Sequence, residues 1–313
     1  MGEAPGVSIW AIAADRSRRF ANTLFRNPFF LAMACVFIAG KILVNRWYGA
    51  SWLSSVRSGL MGIIFYTLGC YAIHVLSLER KVDNEGGRAE SRPHLYKATA
   101  CFVIIAVVLT IEALNDLGSM SLRIPVWSTV NESWANLIRS WTRVNPNIEG
   151  IGIFGFPYLV LYVLLPALLL KRSGFRQPKV FGFKAAVPAF PFVAIYAASF
   201  IVVKGLSARS LLTLLFTVVW PAFGEEFFYR GLLQDALVRS TGNPVSSIAI
   251  TSFLFAASHI PAYVFSSPVS SPLAWSSLLP IMATSFLWGY GYHRTGVLWP
   301  WVFIHAASNL VGF

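Results

Sequence analysis

An all-α bundle of membrane-spanning helices is the fold class the sequence predicts, and three observations predict it. Of 313 residues, 56% are hydrophobic and only 12% are charged, against roughly a quarter charged in a soluble domain. Mean hydropathy is +0.62, more apolar surface than a water-soluble core of this size can hide. The apolar residues also fall in long runs, and a run of about 18 or more can cross a hydrocarbon layer of about 30 Å as a helix.

Taken in order, the apolar segments lie near 29–44, 60–78, 98–114, 151–170, 185–203, 210–238, 245–262, 275–292 and 297–313, which gives eight or nine spans. The Trp-rich piece from Trp47 to Leu60 is expected to lie in the interface, where aromatic side chains collect. Three units follow. Residues 1–28 form a basic N-terminal segment, residues 29–184 a set of accessory spans, and residues 185–313 a catalytic core. No apolar stretch followed by a small-residue cleavage site precedes Arg26, so no cleaved leader is expected.

Orientation follows from the cations. Alternating the loops with the N-terminus inside puts sixteen Lys and Arg on the inner side and seven on the outer, with Lys41 and Arg230 inside spans. That bias predicts a cytoplasmic N-terminus, in a bacterial inner membrane by default. The net charge of +12 is assigned to this loop asymmetry and to anionic lipid rather than to nucleic acid. Cys35, Cys70 and Cys101 sit inside apolar runs without redox or zinc-knuckle spacing, and are read as small buried hydrophobes. The longest polar connection, near 116–150, carries Trp127, Trp134 and Trp141 seven apart. That spacing keeps them on one face of an amphipathic helix, or else they are scattered aromatics in a loop.

Charges inside the spans carry the chemistry. The sixth segment holds Gly224-Glu225-Glu226-Phe227-Phe228-Tyr229-Arg230, two adjacent carboxylates in an apolar helix, where ionisable groups are costly and turn towards protein or water. Glu226 and Arg230 are four apart and can neutralise one another along one helix face. Glu225, turned about 100° away by the helical step, has no such local partner. The seventh segment offers Phe255 and His259, and the ninth His305 and Asn309, each pair again four apart. From the inner helix ends, at about 1.5 Å per residue, Glu225, His259 and His305 lie at depths of roughly 21, 21 and 14 Å, so the three can meet in one layer.

In this order and on separate spans, Glu-Glu-x-x-x-Arg at 225–230, Phe-x-x-x-His at 255–259 and His-x-x-x-Asn at 305–309 resemble the motifs of the CPBP family of intramembrane proteases. That family includes the type II CAAX prenyl endopeptidases and bacterial Abi proteins. The stretch Gly289-Tyr290-Gly291-Tyr292-His293-Arg294 resembles its lead-in to the third motif. The resemblance implies an endopeptidase in which Glu225 activates water, His259 helps to hold it, and His305 and Asn309 stabilise the oxyanion. Glu226, Arg230 and Phe255 would support the site. The implied substrate is a membrane-anchored, prenylated or precursor peptide or protein; oligomeric state is left open.

The residues alone leave alternatives. A buried carboxylate can serve as general base with no cofactor. Equally, Glu225, His259 and His305 can ligate a divalent metal such as Zn²⁺. Buried Glu, Arg and His groups also suit a proton or ion path in a transporter, although no repeated half is visible. A non-catalytic immunity or scaffold protein is the remaining class.

Overall fold

The structure is a computed structural model that describes residues 9–77, 87–116, 124–141, 155–156, 158–171, 178–265 and 272–312. Helices dominate it, with no strand among the described residues. We number them α1 (Ile9–Phe25), α2 (Pro28–Trp47), α3 (Trp52–Leu76), α4 (Gly87–Asp116), α5 (Pro125–Trp141), α6 (Val160–Leu170), α7 (Phe183–Lys204), α8 (Ala208–Thr241), α9 (Pro244–Ala257), α10 (Pro272–Thr295) and α11 (Trp299–Val311). By length and hydropathy, α2, α3, most of α4, α7, α8 and the stretch Pro244–Tyr263 can each cross a bilayer. The two C-terminal segments expected as spans are α10, whose last turn is charged with His293 and Arg294, and α11, only 13 residues long.

Local chemistry sets the helix ends. Asn27 accepts hydrogen bonds from the N–H groups of Phe29 and Phe30, both 3.1 Å, and Pro28 opens α2. An Asn cap before a Pro satisfies donors that have no partner within the helix. The same arrangement recurs at α9, where Asn243 accepts from Ser246 N–H at 3.1 Å before Pro244. The two caps touch: Asn27 donates to Ser246 Oγ at 2.9 Å and to Asn243 Oδ1 at 3.2 Å, so the first full span is fastened to the start of α9. Gly242, at φ 69°, supplies the left-handed residue that ends α8 just before that cap.

Two expectations are corrected. The span expected from residue 60 begins earlier: within the piece from Trp47 to Leu60, Ser51 caps Ser54 N–H at 3.2 Å and α3 runs unbroken from Trp52. Cys70 and Cys101 are buried, but Cys35 is exposed on the outer face of α2. The connection near 116–150 does contain an amphipathic helix, α5. Trp127 Nε1 donates to Glu112 Oε1 at 2.6 Å, and the Trp134 ring lies 6.3 Å from that of Trp220.

The N-terminal spans are not set apart from the rest. Helix α2 packs on α9 and α10, and α3 packs on α10. Helix α10 runs through the centre, with Ala283, Phe286, Leu287, Trp288, Tyr290 and Tyr292 all buried. Its close approach to α11 depends on Gly291, where a Cβ would overlap the Trp301 indole. Backbone bonds from Leu298 and Trp299 N–H to the carbonyls of Lys179 and Val180, both 3.1 Å, fix the turn into α11.

Candidate active site

Helix α8 is not a uniform α-helix where it carries its charges. Val218–Ala222 and Phe227–Gln234 are wound as π-helix, and only Phe223–Glu226 between them keeps the α-helical turn. Pro221 supplies one cause, since it has no N–H for the carbonyl of Thr217 and the ladder must slip there. Gly224 lets α8 approach α6, its Cβ position lying 3.3 Å from Tyr162 Cβ. Together these features place Glu225 and Glu226 side by side in the interior, 4% and 0% exposed.

His305 of α11 meets both carboxylates. Its Nδ1 lies 2.9 Å from Glu226 Oε1 and its Nε2 3.4 Å from Glu225 Oε2. Glu226 also pairs with Arg230 Nε at 3.2 Å along α8, as their four-residue spacing predicts. Arg230, fully buried, donates to Ser285 Oγ at 3.0 Å and stands over the Phe255 ring at 4.5 Å. Among the described residues, His305 is the only ion-pair partner of Glu225.

A neutral imidazole has one donor and one acceptor nitrogen. The Nδ1 contact to Glu226 at 2.9 Å is a hydrogen bond, and the Nε2 contact to Glu225 at 3.4 Å is a close approach. With His305 as an imidazolium between the two carboxylates, Glu225, Glu226, His305 and Arg230 sum to zero charge, the condition under which buried ions are tolerated.

Phe255, 2% exposed, joins the remaining candidates. Its ring lies 4.8 Å from His259, 5.8 Å from His305 and 4.9 Å from Tyr229. No hydrogen bond runs from His259 to Glu225; His259 Nδ1 instead faces the Phe255 carbonyl at 2.8 Å, and its ring stacks 6.2 Å from Tyr263. Asn309 sits one turn beyond His305 on α11, about 6 Å along the axis, with its side chain exposed. The structure thus gathers Glu225, Glu226, Arg230, Phe255 and His305 into one cluster. His259 packs on the Phe255 ring, and Asn309 follows one turn after His305 on α11, exposed.

Several neighbours escaped the sequence reading. Trp288 lies 4.6 Å from the His305 ring at 30°, and 5.7 Å from Arg230. Ser285 stands three residues earlier on the same face of α10, and that polar-aromatic spacing was the available signal. Tyr158, Tyr162, Tyr229 and Tyr263 lie within electrostatic reach of Glu225. As for a metal, no group of three or more His, Cys, Asp or Glu side chains is arranged to hold an ion among the described residues.

The three motif-bearing helices and their meeting point lie within one continuous stretch of chain. Residues 207–311 match the family described as type II CAAX prenyl endopeptidase Rce1-like. This third of the chain is a domain of the CAAX-protease type, within an integral, multi-pass membrane protein. No curated protein and no solved structure matches the chain. The match covers α8 to α11 and so includes every candidate catalytic residue, while α1 to α7 lie outside it.

Proposed function

We propose that this CAAX-type domain is an intramembrane endopeptidase that hydrolyses a peptide bond of a membrane-anchored, lipidated or precursor polypeptide with water activated by Glu225. The observation that carries this is the unequal pairing of the two adjacent carboxylates. Glu226 is paired with Arg230 at 3.2 Å, whereas the ion-pair contact of Glu225 among the described residues is the Nε2 of His305 at 3.4 Å. A carboxylate held at low exposure without a guanidinium partner is available as a base.

In this reading Glu225 accepts a proton from water while the water oxygen attacks the substrate carbonyl carbon. The charge that develops on the carbonyl oxygen needs a fixed donor. Once Glu225 has taken the water proton it no longer holds the His305 Nε2–H by charge. His305, kept in orientation by Glu226 and by the Trp288 face, then turns that N–H to the oxyanion, with Asn309 giving a second. His259 steadies the water. As the C–N bond breaks, the proton held by Glu225 passes to the departing amine. Both ring nitrogens of His305 already face carboxylates, which favours this general-base scheme over use of His305 as a metal ligand.

The excess of Lys and Arg in alternate loops supports a cytoplasmic N-terminus, in a bacterial inner membrane by default. The test is cleavage by the purified protein in liposomes, offered prenylated or acylated peptides beside the same peptides without lipid, with and without a zinc chelator. Cleavage restricted to anchored peptides and insensitive to chelator is expected. Chelator-sensitive cleavage would contradict the metal-independent scheme, and equal cleavage of free peptides the substrate class.

A further inference from the structure

A half-open cavity of about 780 Å³, with polar and apolar walls, lies away from the glutamates, at the bundle end where α3 and α10 finish and α9 begins. Its walls present Arg16, Arg19 and Arg294, together with His74 and His293, against one carboxylate, Asp15. Helix α1 closes it. Ile12, Asp15, Arg16, Arg19, Asn22 and Thr23 recur at three- and four-residue intervals and form the face turned to the cavity. The adjoining face carries Phe20 and Leu24, 5% and 1% exposed. Phe20 packs against the rings of Tyr71 and His74, both at 5.4 Å.

Two of the guanidiniums are held in place by the last carbonyls of α3. Arg16 Nη1 donates to Val75 O at 2.8 Å. Arg294 donates from Nε to Ser77 Oγ at 2.8 Å and from Nη2 to Ser77 O at 3.1 Å. Both cations cap carbonyls at the end of α3, and in doing so they are oriented at the rim of the cavity from two different helices, α1 and α10. A guanidinium carries five N–H donors, and Arg16 uses one of them on Val75. Arg19 is tied to Asp15 at 2.8 Å, with both side chains more than half exposed, so the pair is screened by solvent. The first turn of α9, at Pro244 and Val245, adds the positive end of a helix dipole to the same cavity.

We propose that this cavity binds a phosphate ester anion, either the headgroup of an anionic phospholipid or a soluble phosphate. Guanidiniums oriented by backbone carbonyls match phosphate oxygens through paired donors. Basic pockets at the ends of membrane helices are suited to lipid headgroups, each cation contributing about five-fold in affinity. Bound there, the anion would bridge α1, α3, α9 and α10. The proposal is independent of the peptidase reading.

The test is thermal unfolding of the full-length protein, stripped of lipid in detergent, with phosphatidylglycerol, phosphatidylcholine or inorganic phosphate added at matched ionic strength. Arg16→Gln and Thr23→Asp are compared with wild type; Thr23→Asp brings a carboxylate into the cavity while leaving the Arg16 and Arg294 contacts to α3 in place. A rise in Tm with phosphatidylglycerol but not phosphatidylcholine supports a lipid headgroup, and a rise with inorganic phosphate a soluble ligand. In either case both variants should need about five-fold more ligand for the same shift. Equal response to the two lipids with none to phosphate would overturn the proposal, as would variants that respond like wild type. Loss in Arg16→Gln with full response in Thr23→Asp would also overturn it, since Arg16 would then act only by holding α1 on α3.

Discussion

Replacing Arg230 by Met keeps much of the side-chain volume beneath Phe255 and removes the charge. Arg230 is fully buried, pairs with Glu226 at 3.2 Å and donates to Ser285 Oγ at 3.0 Å. Its loss leaves two carboxylates facing one imidazolium, and an uncompensated charge at such a position costs about 3–5 kcal/mol. At about 2 °C per kcal/mol, apparent Tm should fall by about 6–10 °C. The companion change Glu226→Gln keeps an oxygen to accept from His305 Nδ1 while removing the surplus charge. The double variant should therefore recover most of the loss, with a coupling of about 2–3 kcal/mol. Unfolding in detergent micelles, followed by tryptophan fluorescence at a fixed scan rate, reads all four proteins. Additive effects of the two substitutions, or a single Arg230→Met variant as stable as wild type, would refute the neutral four-group cluster.

Three further outcomes follow from packing. Gly291→Ala should cost about 1–3 kcal/mol, because the added methyl meets the Trp301 indole, and a lowered Tm checks it. Asn27→Ala removes the α2 cap and the bond to Ser246, and should destabilise by about 0.5–2 kcal/mol in the same assay. Trp288→Leu removes the ring lying 4.6 Å from His305. Cleavage should fall by about ten- to a hundred-fold through loss of orientation, with Trp288→Phe retaining more activity than Trp288→Leu.

Much of this was legible in the sequence because hydrophobic runs and four-residue spacings are local. The helices lie where the apolar runs lie, Glu226 finds Arg230, and the seven-residue Trp spacing marks α5. What was not legible depends on the third dimension. The 100° step between Glu225 and Glu226 holds in the α-helical turn Phe223–Glu226, but the π-helical segments Val218–Ala222 and Phe227–Gln234 on either side change how that turn faces the rest of the bundle, and no local spacing reports them. That His305 bridges both glutamates, and that His259 turns to the Phe255 carbonyl instead, follows from how α11 and α9 pack on α8. No spacing within a single helix reports that choice. The α3 start was missed because Ser51 looks like one more polar residue in a Trp-rich linker until its cap to Ser54 is seen. Cys35 was expected inside because it is apolar, but in a lipid-facing helix apolar residues also point outward.

The central claim is that Glu225 is the general base, and the most direct measurement is the cleavage rate of a membrane-anchored peptide by wild type and Glu225→Gln in liposomes, with matched unfolding curves. The amide is nearly isosteric and still accepts from His305 Nε2, so Tm should hold. The cleavage rate should fall by about a hundred- to ten-thousand-fold. A Glu225→Gln protein that folds and cleaves at the wild-type rate would contradict the account.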